Sequence, residues 1–241
     1  MRNFLSLTLL SAASFMASAN DFYLGAGVLV LEQPYSQTDT QVIPLPYFAY
    51  YNDNWNIDPS QISYSIETIS DIKFGLMVQP RYDGYSEDDS VIFKGMEDRD
   101  FALDAGIKLS YESAVGQFEV NVVTDVTGVH EGTEFKGQFS KNWFIENLVL
   151  IFRTGVSYKS SELVDYYYGV TVSEANNFRA AFVGEKATSV FGAIQFAYPI
   201  NDQWVLSGMA GYESFSDEIK NSPLLDKSYA LTSYLAIAYK F

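Results

Sequence analysis

The sequence predicts an all-β protein, an antiparallel transmembrane β-barrel of twelve strands with short periplasmic turns and long external loops. Three observations predict it. An export-type leader is followed by no apolar run long enough for a membrane helix, the remaining chain alternates apolar and polar residues over long strands, and the closing strand ends on an aromatic.

Met1-Arg2-Asn3 is a short positive start, Phe4 to Phe15 an apolar run, and Ala17-Ser18-Ala19 the small residues that a signal peptidase reads. Cleavage is expected after Ala19, dividing the chain into a signal peptide, 1–19, and a barrel domain, 20–241; a buried N-terminal helix is the alternative. Losing Arg2 takes the net charge from −15 to −16. Beyond Ala19 the longest apolar cluster is Leu148-Val149-Leu150-Ile151-Phe152, far short of the roughly 20 residues a spanning helix needs.

Composition narrows the function. The 241 residues are 48% apolar and 16% aromatic, which suits a large buried surface and argues against disorder. No cysteine is present, which excludes disulfides, thiol catalysis and cysteine-ligated metals. Fifteen basic against 30 acidic residues leave no basic stripe for a phosphate backbone, so nucleic acid is not an expected partner.

The strands follow in order near 21–31, 42–51, 54–58, 61–68, 71–81, 100–112, 116–127, 131–140, 144–157, 187–199, 203–214 and 228–241. In the sixth, Phe101, Leu103, Ala105, Ile107, Leu109 and Tyr111 share one face and Asp104, Lys108, Ser110 and Glu112 the other. Phe118, Val120 and Val122 oppose Gln117, Glu119 and Asn121 in the seventh. In the last, Leu235, Ile237, Tyr239 and Phe241 oppose Ala236, Ala238 and Lys240. A soluble sandwich also alternates, but several of these runs approach the about 9–11 residues that a tilted strand needs to cross a bilayer. The polar face mixes both charges with amides and glycine, which suits a wet interior. The third and fourth strands are short, so ten or fourteen strands are the alternatives. Long links are expected at 32–41, 82–99, 158–186 and 215–227, with a short helix within 173–179. Tyr23, Tyr47, Tyr50, Tyr51, Trp55, Tyr82, Trp143, Tyr158, Tyr198 and Trp204 sit near strand ends as interfacial girdles.

Candidate chemistry is sparse. His130, the sole histidine, lies in a glycine-bearing turn without a Gly-x-Ser-x-Gly element, so a polar contact is preferred over catalysis. Gly25-Ala26-Gly27 lacks the third glycine of a nucleotide loop and is read as packing. Glu87-Asp88-Asp89 with Glu97, Asp98 and Asp100 can gather a divalent cation, although a solvated acidic loop is the plainer reading. Asp104 with Lys108 and Glu134 with Lys136 are expected to form an interior charge network. No catalytic, cofactor or metal residue is assigned.

Several segments, in order, carry a resemblance. They are Ile43-Pro44-Leu45-Pro46-Tyr47-Phe48-Ala49-Tyr50, Phe93-Lys94-Gly95-Met96-Glu97-Asp98-Arg99-Asp100, Asp125 through Gly132, Tyr167-Tyr168-Gly169-Val170 with Glu174, and Asn221-Ser222-Pro223-Leu224. Together they resemble the MipA/OmpV family of outer-membrane proteins over nearly all the chain after the leader. The resemblance implies a barrel in the Gram-negative outer membrane, in contact with its lipid. It also implies a non-enzymatic scaffold joining a periplasmic lytic transglycosylase to a murein synthase. A narrow porin-like channel and surface contact through the external loops are the alternatives. If the short links face the periplasm, little surface is left there for a partner.

Overall fold

A strand whose alternate residues are apolar needs lipid or a core on one side only, and closing the sheet on itself removes its edges. The computed structural model, which describes residues 20–69 and 71–241, shows that solution. The expected leader, 1–19, lies outside the described residues. The twelve strands are β1 Asp21–Glu32, β2 Gln41–Tyr51, β3 Trp55–Asp58, β4 Gln61–Ile69, β5 Ile72–Arg81, β6 Ala102–Ser113, β7 Gly116–Asp125, β8 Thr133–Ile145, β9 Leu148–Lys159, β10 Ala187–Pro199, β11 Trp204–Phe215 and β12 Tyr229–Lys240. Each pairs antiparallel with its neighbours, and β1 meets β12 with Ala26 opposite Ile237 to close the barrel. Two short α-helices, α1 Ser161–Tyr168 and α2 Asp217–Lys220, and a 3-10 turn, Val91–Phe93, lie in the loops.

The predicted faces are the observed ones. Ile107, Leu109, Tyr111, Phe118, Val120, Val122, Leu235 and Ile237 point outward and are exposed, whereas Asp104, Ser110, Asn121, Ala236 and Ala238 are buried inside. The end with the tight turns, together with Phe22 and Phe241, faces the periplasm.

Three details differ from expectation. The break expected at 141–143 is continuous strand, and the chain turns instead at Glu146-Asn147, with Glu146 at φ 51°. Lys141-Asn142 reads as a polar link because Asn142 faces the wet interior. The helix expected within 173–179 is a turn, with Thr171 O accepting the N–H groups of Glu174 and Ala175. The loop's helix is α1, which places Leu163, Val164, Tyr167 and Tyr168 on one buried face. Finally, Tyr23, Tyr47 and Tyr51 are interior residues rather than girdle residues, while Trp55, Trp143, Tyr158, Tyr198 and Trp204 are exposed as a girdle requires.

Candidate functional site: a roofed polar cup

The interior is divided lengthwise. On the side of β1, β2 and β10 to β12 it is filled by Tyr23, Leu29, Tyr47, Tyr51, Met209 and Tyr234, with small alanines between them. On the side of β3 to β9 lies a cavity of about 750 Å³. It extends from the turn Asn52-Asp53-Asn54 and from Gln117 and Asn142 at the periplasmic end to Arg81, Asp83 and Glu134 at the other. Five basic side chains and five carboxylates line it, so the cup is neutral within a chain of net charge −15.

Six of these charges are paired with one another. Lys108 Nζ lies 3.3 Å from Glu119, which also accepts from Gln138 at 3.1 Å. Lys136 lies 3.7 Å from Glu134, as expected. The expected pairing of Asp104 with Lys108 is not formed, because Asp104 sits higher and answers to Arg81. Arg81 is the hub: Nε donates to Asp104 at 2.8 Å, Nη2 to Glu134 at 2.7 Å and Nη1 to Asp83 at 2.9 Å. A single guanidinium with donors on three sides suits three converging carboxylates.

His130 belongs to this hub. Its Nδ1 accepts the Gly132 N–H at 3.0 Å, so its Nε2 carries the proton and donates to Asp104 at 2.9 Å. Asp104, Asp125 and His130 lie close enough together to suggest a metal site. However, both imidazole nitrogens are occupied, Asp104 is held by Arg81, and Asp125 accepts from Thr127, His130 N–H and Glu131 N–H. The constellation fastens the β7–β8 loop to the barrel.

Above the hub, the external loops build a core of their own. Tyr35, Tyr85, Phe93, Met96, Leu163, Tyr167, Phe215 and Leu224 are buried together. Phe93 stacks on Tyr85 with ring centroids 3.9 Å apart and 6° between planes. Arg99 pins this cap with two bonds to Glu174, at 3.0 and 3.2 Å, and one to Tyr166 O at 2.7 Å. Burial alone would raise the Glu174 carboxyl, but bonds from the Thr171 and Glu97 N–H groups, the Thr171 hydroxyl and Arg99 hold it down at about 2. Arg179, buried, donates to Glu174 O and to Ile92 O. The acidic loop residues also serve the cap. Glu87 accepts from Gly95 N–H, Asp98 from Glu87 N–H and Asp89 from Ser86 N–H, while Asp88 pairs with Lys94.

The segments that carried the family resemblance fall largely in this cap and its fastening to the barrel. Phe93, Met96, Arg99, His130, Tyr167, Glu174 and Leu224 are all there, and Ser222 Oγ donates to Tyr168 O at 2.7 Å. Alternation with Phe74, Leu76 and Val78 puts Arg81 on the polar face of its strand, but no spacing reveals that Arg81 is a hub or that Arg179 pins the cap.

A lipid-facing belt around a closed antiparallel sheet with a polar lumen defines an outer-membrane β-barrel. The profile of the family described as MltA-interacting protein MipA matches residues 24–241, and the chain belongs to that family. It is 25% identical to the MltA-interacting protein of Escherichia coli (strain K12), with 98% of this chain and 97% of that one covered. It is 27% identical to outer membrane protein OmpV of Vibrio cholerae, covering 80% and 76%. Among solved structures, the NanC porin aligns over 92% of this chain and 100% of its own, at 11% identity and a TM-score of 0.44. The protein resides in the Gram-negative outer membrane, and its relatives point to a non-enzymatic role.

Proposed function

We propose that this barrel is a non-enzymatic scaffold whose periplasmic rim docks a murein-cleaving lytic transglycosylase, with a murein synthase as a second client. One observation carries the reading. Tight turns usually end in polar residues, yet consecutive turns of this rim present exposed apolar side chains. Val115 is 61% exposed, Ile145 55% and Ile200 50%, in or beside the turns after β6, β8 and β10, and Ile69 continues the arc before β5. A stable interface buries about 800 Å² per partner, which calls for several neighbouring turns rather than one. The family's description as MltA-interacting supports the same reading.

The test is a pull-down from periplasmic extract on the folded, immobilised barrel, with an unrelated barrel as control. Specific recovery of a lytic transglycosylase, reduced by Val115→Asp with Ile145→Asp and Ile200→Asp, is expected. Recovery equal to the control refutes the scaffold. The polar cup favours a second reading, a narrow channel. The cap stands over its outer end, so conductance in planar bilayers is the deciding measurement. A flat trace for folded protein rejects an open pore.

A further inference from the structure

We propose that the barrel wall has a lateral portal between β2 and the tops of β4 and β5. Through it an amphiphile with an uncharged or zwitterionic, hydrogen-bonding head lodges that head in the cup while its apolar tail stays in the membrane.

The portal follows from one short strand. β2 pairs with β1 along its whole length but with β3 only at Tyr50 and Tyr51, because β3 is four residues long and turns back at Pro59-Ser60. In an antiparallel ladder, alternate residues direct both main-chain groups to alternate neighbours. Asn52 N–H bonds Trp55 O at 2.9 Å, so even-numbered residues of β2 face the β3 side. Val42, Pro44, Pro46 and Phe48 therefore turn their main-chain groups toward a gap that no strand fills.

An open edge in hydrocarbon costs several kcal/mol for each unsatisfied group. Two of the four donors on this edge are removed by proline, the residue that sheets admit at edges. The carbonyls remain. The edge is thus rich in acceptors and suits hydroxyl or amide donors. Its outward side chains are apolar, with Val42 64% and Phe48 44% exposed, continuous with the lipid-facing belt of the barrel.

The rim of the gap is also the wall of the cup. Ser60, Gln61, Gln79, Pro80 and Tyr82 line the cavity from the far side of the opening. Above, Ser90 Oγ donates to Ser36 O at 2.8 Å and ties the two neighbouring loops together. Tyr82 both lines the cavity and packs against the interior cluster to which Tyr47 of β2 belongs, so its ring stands at the opening. The five cations and five carboxylates of the cup leave no surplus charge for a net-charged head, whereas its many amides and hydroxyls match a polar neutral one.

The absence of cysteine makes the test clean. Gln79→Cys, labelled with bimane, is placed in phosphatidylcholine vesicles brominated along the acyl chains, where bromine quenches by contact. Outward-facing Val78→Cys and far-wall Glu119→Cys are the references. Quenching at position 79 well above that at 119 but below that at 78, where the chains lie against the wall, increased by Tyr82→Ala and relieved by dodecyl maltoside but not by laurate, is expected. Quenching no greater than at position 119 overturns the portal. Equal relief by laurate overturns the assignment of the head. If labelled Gln79→Cys does not fold, Ser60→Cys, on the lower rim, takes its place with the same readings.

Discussion

Replacing Phe93 by alanine tests whether the cap is a separate unit of stability. Phe93 is fully buried, stacks on Tyr85 at 3.9 Å and meets the edge of Tyr35 at 5.2 Å. Truncating such a ring costs about 3–5 kcal/mol. At about 1.4 kcal/mol per tenfold, that raises the open population of the cap by roughly two to three and a half orders of magnitude. The loss falls on the cap alone, because the barrel strands pair with each other and Phe93 contacts loop residues. Hydrogen exchange followed by mass spectrometry reads it directly. Val170 and Phe182 exchange backbone bonds at 2.8 and 2.9 Å inside the cap, so a peptide over 161–186 should lose protection by that factor. A peptide over 187–199, in β10, should not change. An increase below tenfold in the cap, or an equal increase in β10, would refute the reasoning.

Three further outcomes are expected. Arg81→Met removes the guanidinium that Asp104 and Glu134 share, leaving Glu134 only Lys136 at 3.7 Å, and breaking a buried pair costs about 3–5 kcal/mol; the temperature at which the folded form converts on gels should fall, and adding Glu134→Gln should recover part of it. The carboxyl of Glu174 is held at about 2 against an ordinary 4.5, so its stabilisation of the cap is complete above pH 4.5 and drains away as the pH falls toward 2. Near-UV circular dichroism of the stacked tyrosines should follow that window, and a trace with the same slope in Glu174→Gln would count against it. Gly25→Val should block barrel closure, since a Cβ there would lie 2.1 Å from Ile237 O, whereas Ala26→Val, facing lipid, should fold normally on a heat-modifiability gel.

The sequence was most legible where a two-residue period is imposed by the membrane. Phe101 to Glu112 and Tyr234 to Phe241 could be assigned face by face because lipid tolerates no polar residue and the lumen favours them. It was least legible where aromatics serve two environments. Tyr47 and Tyr51 at a strand end read as girdle residues, but a tyrosine fills a barrel interior equally well when its hydroxyl finds a partner, as Tyr51 does near Asp58. The cap was hidden for a different reason. Its core gathers residues from four loops, with no period to reveal that Tyr35, Phe93, Tyr168 and Leu224 would meet. The resemblance pointed at those segments without giving their purpose.

The row of small residues where the first and last strands meet bears on assembly. Gly25 and Gly27 stand opposite Ala238 and Ala236, and such a row specifies no register, because a slide of two places meets the same smooth surface. Register must be written elsewhere, and the periplasmic end supplies it. Lys240 reaches Asp21 at 2.8 Å, Phe241 N–H bonds Phe22 O at 3.0 Å, and the rings of Phe22 and Phe241 lie 5.3 Å apart. Closure of this cylinder is therefore a zipper with its starting tooth at the inner leaflet and a low-friction track beyond it.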